Sequence, residues 1–206
     1  MIIRELEDGL KIRRLHTPED INIWRAGFVG AYQSVFSGAP YHERFYPSEA
    51  EGVYRTLTRS KDHITLVATR GATQVVGFGC AIPLKDKPSV AQELVGLVPS
   101  RHCFYMAELG VVEQYRRNGL GRVLIDERLK LIDRAKYSHV ILRISAANRA
   151  PSLDLYESYG FEDMGVHMDV NAMRTDGRVR TDRRLFMHCV LSQVSEEVSL
   201  RDASLA

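Results

Sequence analysis

The residues with the densest chemical content run from 108 to 125, Glu-Leu-Gly-Val-Val-Glu-Gln-Tyr-Arg-Arg-Asn-Gly-Leu-Gly-Arg-Val-Leu-Ile. Arg116, Gly119 and Gly121 form an RxxGxG turn. No acid lies between Gln114 and Ile125, while Arg116, Arg117 and Arg122 cluster there. Glycine lets a main chain approach a ligand closely and aim successive N–H groups at one point. A helix opening just after the turn adds about half a positive charge at its start. This combination suits a phosphate or pyrophosphate; the alternative is an ordinary strand-turn-helix with a solvated basic turn. Other phosphate motifs fit less well. The GxxxxGK[ST] loop is absent, and Gly119-x-Gly121 is followed by Leu124 where a dinucleotide fingerprint needs a third small residue.

A second motif follows the next expected strand: Asn148, then Leu155-Tyr156-Glu157 and Gly160-Phe161. With RxxGxG upstream, this N…LYxxxGF pattern resembles the GNAT superfamily of acyl-CoA-dependent N-acetyltransferases. The two motifs in this order are more specific than either alone. The likeness is closest over residues 104–165, and the element order extends it to most of the chain.

The resemblance implies a set of roles. Two central parallel strands, residues 104–112 and 139–145, would splay apart around the cofactor, acetyl-CoA. The backbone of Leu109, Gly110, Val111 and Val112 would pair with the pantetheine arm, with the Val112 N–H polarising the thioester carbonyl. The N–H groups of Arg117, Asn118, Gly119, Leu120, Gly121 and Arg122 would cradle the pyrophosphate, with Arg116, Arg117 and Arg122 as counter-charges. Asn148 would bond the pantetheine chain; its alternative is a loop or cap residue. Transfer to an amine by direct attack in a ternary complex needs no metal. Glu108 would take the amine proton, or else pair structurally with an arginine. Tyr156 would protonate the departing thiolate, or else sit in the core beside Tyr159. Cys80 and Cys103 could serve a ping-pong route, but no histidine stands at a recognisable spacing, and cysteine is commonly a small buried hydrophobe.

The acceptor side, by the same resemblance, involves residues 28–48, 83–102 and 170–184. The first holds Tyr32, Phe36, Tyr41, His42, Phe45 and Tyr46, which either line a pocket or pack two helices together. The basic stretch from Arg174 to Arg184 is either an anion-recruiting patch or a solvated hairpin. A small-molecule amine is the expected acceptor. The alternatives are a protein lysine or N-terminus, or a non-catalytic CoA-binding regulatory module.

These residues need a scaffold. Residues 10–15 read as a strand. Thr17-Pro18-Glu19-Asp20 opens a helix to about Val35, with Thr17 as cap. Ser48-x-x-Glu51 is a capping box for a second helix to about Leu57. Residues 63–69 and 74–82 form a hairpin about Gly71. Residues 83–102 form a long loop with one short helical turn. Residues 119–134 are a helix with Leu120, Leu124 and Leu131 along one ridge. A strand at 139–145, a helix at 151–159 ended by Gly160, and strands at 161–170 and 184–191 complete the order β-α-α-β-β-β-α-β-α-β-β. The fold class is α/β (α+β). A mixed, mostly antiparallel twisted sheet of about 6–7 strands is flanked by helices on both faces, with a parallel crossover after residue 104.

Composition agrees. The chain has 206 residues, 45% hydrophobic and 26% charged, enough for one self-sufficient domain over 1–194 with a frayed tail at 195–206. Lys+Arg 28 against Asp+Glu 26 leaves +2, too near neutral to imply nucleic acid. No apolar run reaches the roughly 18 residues of a membrane span. The opening residues lack a basic-then-apolar leader. The cysteines, Cys80, Cys103 and Cys189, form no CxxC or zinc spacing and fit a reducing cytoplasm. Expected partners are the acceptor and a second copy in a homodimer.

Overall fold

The computed structural model describes residues 1–146 and 151–192. It contains an eight-stranded mixed sheet with flanking helices, at least one strand more than the sequence suggests. The extra strand is β1, Ile2–Glu5. It pairs antiparallel with β2, Lys11–Arg14, which is the expected opening strand. β1 is short, with no residue fully buried, so it carries no apolar alternation to betray it.

The chain divides into two compact units. The first comprises Met1–Ile82, Ala107–Leu131 and Ala172–Arg180; the second comprises Pro83–Met106, Ile132–Asn171 and the chain from Thr181 on.

In the first unit, α1 (Pro18–Ser37) begins at Thr17, whose Oγ1 accepts from the Asp20 N–H at 3.1 Å, with Pro18 and Glu19 in the first turn. α2 (Pro47–Arg59) starts two residues earlier than Ser48-x-x-Glu51 implies. Tyr46 is its cap, and the Glu49 carboxylate reaches back to the Tyr46 N–H at 2.7 Å. Pro47 fits the first helical position, which leaves Glu51 on the helix surface beside Arg55 and Arg25, at 2.6 and 3.3 Å. β2, β3 (Ile64–Arg70) and β4 (Gln74–Pro83) form an antiparallel ladder.

β4 alternates sharply. Phe78 points to one face, where its ring meets Phe28 at 4.9 Å, Tyr32 at 5.5 Å and Phe36 at 6.4 Å. Gly77 and Gly79 point to the other, against α4 (Leu120–Leu131). A side chain on Gly77 would press on Leu120 and Leu124, and one on Gly79 would strike Arg128. The two glycines let Leu120, Leu124 and Arg128, spaced four apart on one helical ridge, lie directly on the strand.

In the second unit, residues 83–102 are not one open loop. The helical turn α3 (Pro88–Ala91) and three short 3₁₀ turns break it up, with Leu84, Val90 and Leu94 buried. β5 (Cys103–Val111) begins here and pairs in parallel with β6 (His139–Ser145), from Cys103↔His139 to Met106↔Leu142. β6 pairs on its other side, antiparallel, with β8 (Val179–Val190), and β7 (Glu162–Met173) lies next to β8. α5 (Pro151–Glu157) ends before Gly160, whose φ of 78° is in the left-handed region. No helix among the described residues is long and apolar enough to cross a membrane.

Candidate active site

The residues of the 108–125 segment come together in the first unit. Ala107–Leu131 carries the last half of β5, the turn and α4. Orientation along β5 follows from its bonds. The Val112 N–H donates to the Val76 carbonyl of β4 at 2.9 Å, and the Gly110 carbonyl lies 3.2 Å from where a Gly77 Cβ would be. Main-chain groups alternate along a strand. Residues 108, 110 and 112 therefore face β4, and those of Leu109 and Val111 face the opposite edge. Arg116 Nε bonds the Val111 carbonyl at 2.8 Å on that edge.

This corrects one expectation. The Val112 N–H belongs to the β4 ladder and is committed there, so the outward donors of the segment are Leu109 and Val111. Sequence reasoning missed this because a residue's parity depends on register, which the motif does not encode.

Gly110 is required for packing. A Cβ there would lie 2.3 Å from the Phe78 ring. Leu120 is buried on β4, whereas Arg117, Asn118 and Gly119 are exposed. Arg117 and Gly119 hold φ of 65° and 77°, left-handed values that turn neighbouring N–H groups toward one side. A side chain at Gly119 or Gly121 would meet nothing within 4 Å. Arg122 is exposed in the first turn of α4, which contains no acid. This turn fits a phosphate-bearing cofactor: an open glycine approach, left-handed backbone, a helix start and exposed guanidinium groups. Arg116 also donates from Nη1 to the Ala39 carbonyl at 2.6 Å, so part of its guanidinium holds the loop after α1.

Glu108 is half-buried on β5. Its carbonyl accepts from Arg128 Nη1 at 3.0 Å, and the same nitrogen donates to the Cys80 carbonyl at 3.2 Å. Arg128 is completely buried. It went unnoticed in the sequence because a charge on an amphipathic helix normally marks the solvated face; the signal available was the pair Gly77 and Gly79.

The thiols are poor nucleophiles. Burial, followed by the nearby Glu108 charge, pushes Cys80 up to about 12, and burial alone does the same to Cys103. Among the described residues no cluster of three or more His, Cys, Asp or Glu could hold a metal.

Tyr156 lies on α5 in the second unit, with its ring edge-on to Phe161 at 5.6 Å. It is 5% exposed and Tyr159 is fully buried. Asn148 falls outside the described residues. Of the aromatic stretch near the first helices, Tyr32, Phe36 and Phe45 pack on one another at 4.5–5.7 Å, which is the helix-packing reading. Tyr46 is 55% exposed. The tip of the β7–β8 hairpin is fastened to the loop after α1. The Arg44 and Thr175 N–H groups donate to Met173 and His42 at 2.7 and 2.9 Å. The Arg174 guanidinium bonds the Tyr41 carbonyl and lies 3.8 Å from Glu43.

A family model described as the acetyltransferase (GNAT) family matches residues 26–161. No curated protein matches the chain. Among solved structures, an N-acetyltransferase from Staphylococcus aureus Mu50 is 17% identical, with 88% of this chain and 98% of that one covered at a TM-score of 0.58. The ribosomal-protein-alanine N-acetyltransferase of Brucella melitensis is 24% identical, covering 87% and 98% at 0.56. The ribosomal-protein-S18-alanine N-acetyltransferase of Escherichia coli is 17% identical, covering 88% and 93% at 0.56. At these identities the structures share the fold; the family match spans well over half of the chain.

Proposed function

The chain belongs to the GNAT family of acetyl-CoA-dependent N-acetyltransferases, and from that premise we propose that it acetylates a primary amine on a small molecule by direct attack. The observation that carries the site is the outward edge of β5 running into the left-handed turn at Arg117 and Gly119. When bound there, acetyl-CoA supplies an activated acetyl thioester. The Leu109 and Val111 N–H groups are the edge donors available to the acyl carbonyl and the pantetheine arm, and the turn from Arg117 to Arg122 holds the pyrophosphate. An ammonium acceptor has a pKa near 10.4 and cannot attack while protonated. Glu108 takes that proton as the new C–N bond forms. Tyr156 would give its Oη proton to the thiolate as the C–S bond breaks, and Asn148 is assigned to the pantetheine chain by the family motif alone.

The fastened hairpin tip supports a small acceptor. Arg174 ties the hairpin tip to the loop after α1, and on the expected acceptor side such a tie favours a small amine over an extended polypeptide. A protein acceptor is the second reading, favoured by the fold shared with two ribosomal-protein-alanine N-acetyltransferases.

Calorimetry with acetyl-CoA, followed by turnover on a panel of free amines and of peptides, separates these. Turnover on free amines with silence on every peptide is expected; the reverse moves the assignment to a protein acceptor. Absence of acetyl-CoA binding removes the proposal. Tyr156→Phe should lower kcat by about 10²-fold or more, the scale of general acid catalysis, with the acetyl-CoA Kd unchanged. An unchanged kcat removes Tyr156 from its role.

A further inference from the structure

The most unusual group in the first unit is a charge in the core. Arg128 is 0% exposed, and a guanidinium stays protonated at any ordinary pH. Its hydrogen bonds go to main-chain carbonyls: Nε to Leu124 at 3.0 Å, and Nη1 to Cys80 and Glu108 at 3.2 and 3.0 Å. Nη2 is buried without a hydrogen-bond partner. Burying a charge on such terms is costly, and an apolar side chain of similar volume commonly serves stability as well or better. The neighbouring strand is shaped around it, because a Cβ at Gly79 would stand 2.9 Å from Arg128 Nε and 3.1 Å from Cδ. What the cation does contact is specific. The Glu108 carbonyl and the Leu109 N–H are two ends of one planar trans peptide group, so they point in opposite directions. Arg128 holds the carbonyl end on the β4 side, and the N–H end emerges at the outward edge of β5.

We propose that Arg128 is a positioning residue acting through the Glu108–Leu109 peptide: its buried guanidinium polarises the Glu108 carbonyl and so orients and strengthens the Leu109 N–H as a donor to the acyl carbonyl oxygen. The inference rests on the acetyl-transfer reading above. A hydrogen bond to the oxygen of an amide draws electrons toward that oxygen and makes its own N–H a stronger donor, and a cationic donor in a low-dielectric core does so most strongly. Preorganised donors at the point where negative charge develops are commonly the largest catalytic contribution in acyl transfer. The cation itself touches neither substrate nor cofactor; its influence passes through one peptide unit.

The test uses the full-length protein and two spectroscopic readouts besides rate. With acetyl-CoA carrying ¹³C at the acyl carbonyl, the infrared carbonyl band of the wild-type complex should move to lower frequency than in water. In Arg128→Met most of that downshift should be lost. The desulfo-CoA Kd should stay within about threefold. The fall in kcat should be ~10- to 100-fold, less than the ~10²–10³ that follows removal of a whole oxyanion donor. Arg128→Lys, which restores a buried cation, should recover part of the downshift. In the unliganded protein the Leu109 amide proton resonance should move upfield in Arg128→Met. Should the methionine variant not fold, Arg128→Gln keeps a donor, drops the charge, and is judged by the same criteria. A carbonyl band and a Leu109 resonance unchanged by loss of the charge overturn the inference. A purely structural role would weaken desulfo-CoA binding and lower the melting temperature without moving the band, and that result overturns it too. If the wild-type protein does not bind acetyl-CoA, the proposed function fails. The Leu109 resonance then still decides whether Arg128 polarises the peptide.

Discussion

The two faces of β4 are built on opposite rules. On one, Phe78 sits among Phe28, Tyr32 and Phe36, with Tyr54 4.7 Å from Phe28 and Phe45 5.0 Å from Tyr32. On the other, residues one position away are glycines, and they face a leucine ridge ending in a buried arginine. The aromatic face gains from surface removed from water and from ring-on-ring contact. The glycine face gives up side-chain area so that α4, its positive start and Arg128 can approach the strand. Strand alternation lets one ten-residue segment, Gln74–Pro83, do both. Ring packing concentrates on the first face and the proposed positioning role on the second, and that contrast can be broken experimentally.

Phe78→Ala should have the largest effect, a loss of about 3–5 kcal/mol typical of emptying an aromatic core site, read as a lower urea midpoint. The rate per folded molecule should stay within a few fold; a rate collapse in fully folded protein would mean the aromatic face also serves the chemistry. Gly79→Ala should cost about 1–3 kcal/mol by overpacking, because the new methyl displaces Arg128. Here the rate per folded molecule should fall while the stability loss stays the smaller of the two. Equal rate losses in the two variants would dissolve the contrast.

The smallest effect concerns pH. His63 is 9% exposed, with Nδ1 2.9 Å from Thr65 Oγ1. Burial, then the charges of Arg14 and His16, hold its pKa below the ordinary histidine value. Because the folded value is the lower one, this group's stability is fully present above about pH 6.5, the unfolded value, and is lost as pH falls toward the folded pKa. Unfolding free energy measured between pH 7.5 and 5.5 should therefore decline on acidification, and His63→Gln should flatten part of that decline. An identical slope in the variant would remove His63 as its source.

How far these features were legible depends on whether they are local. The Thr17 cap, the strand His139–Ser145 and the basic glycine turn are written in adjacent residues and read directly. The α2 cap lies two residues before the expected one because two acids, Glu49 and Glu51, compete in the same few residues, and only Pro47 decides between them. β1 is too short and too exposed to show a pattern. The direction of the Val112 N–H needed the register with Val76. Arg128 needed the knowledge that Gly79 stands beneath it. Both are contacts between distant segments, and a chain read in order does not display them.

The loop after α1 also has a history in time. Its Ala39 carbonyl is held by Arg116, 77 residues later, and its Tyr41 carbonyl by Arg174, 133 residues later. Closing loops of that length carries an entropy cost that local contacts must first offset, so such bonds form late. During synthesis the helices α1 and α2 can form well before the chain reaches either arginine. The loop between them is fixed only when the glycine turn exists, and again when the β7–β8 hairpin closes. The tie between this loop and the hairpin tip is thus among the last contacts of the first unit to form, and a chain interrupted before residue 170 lacks the Arg174 that makes it.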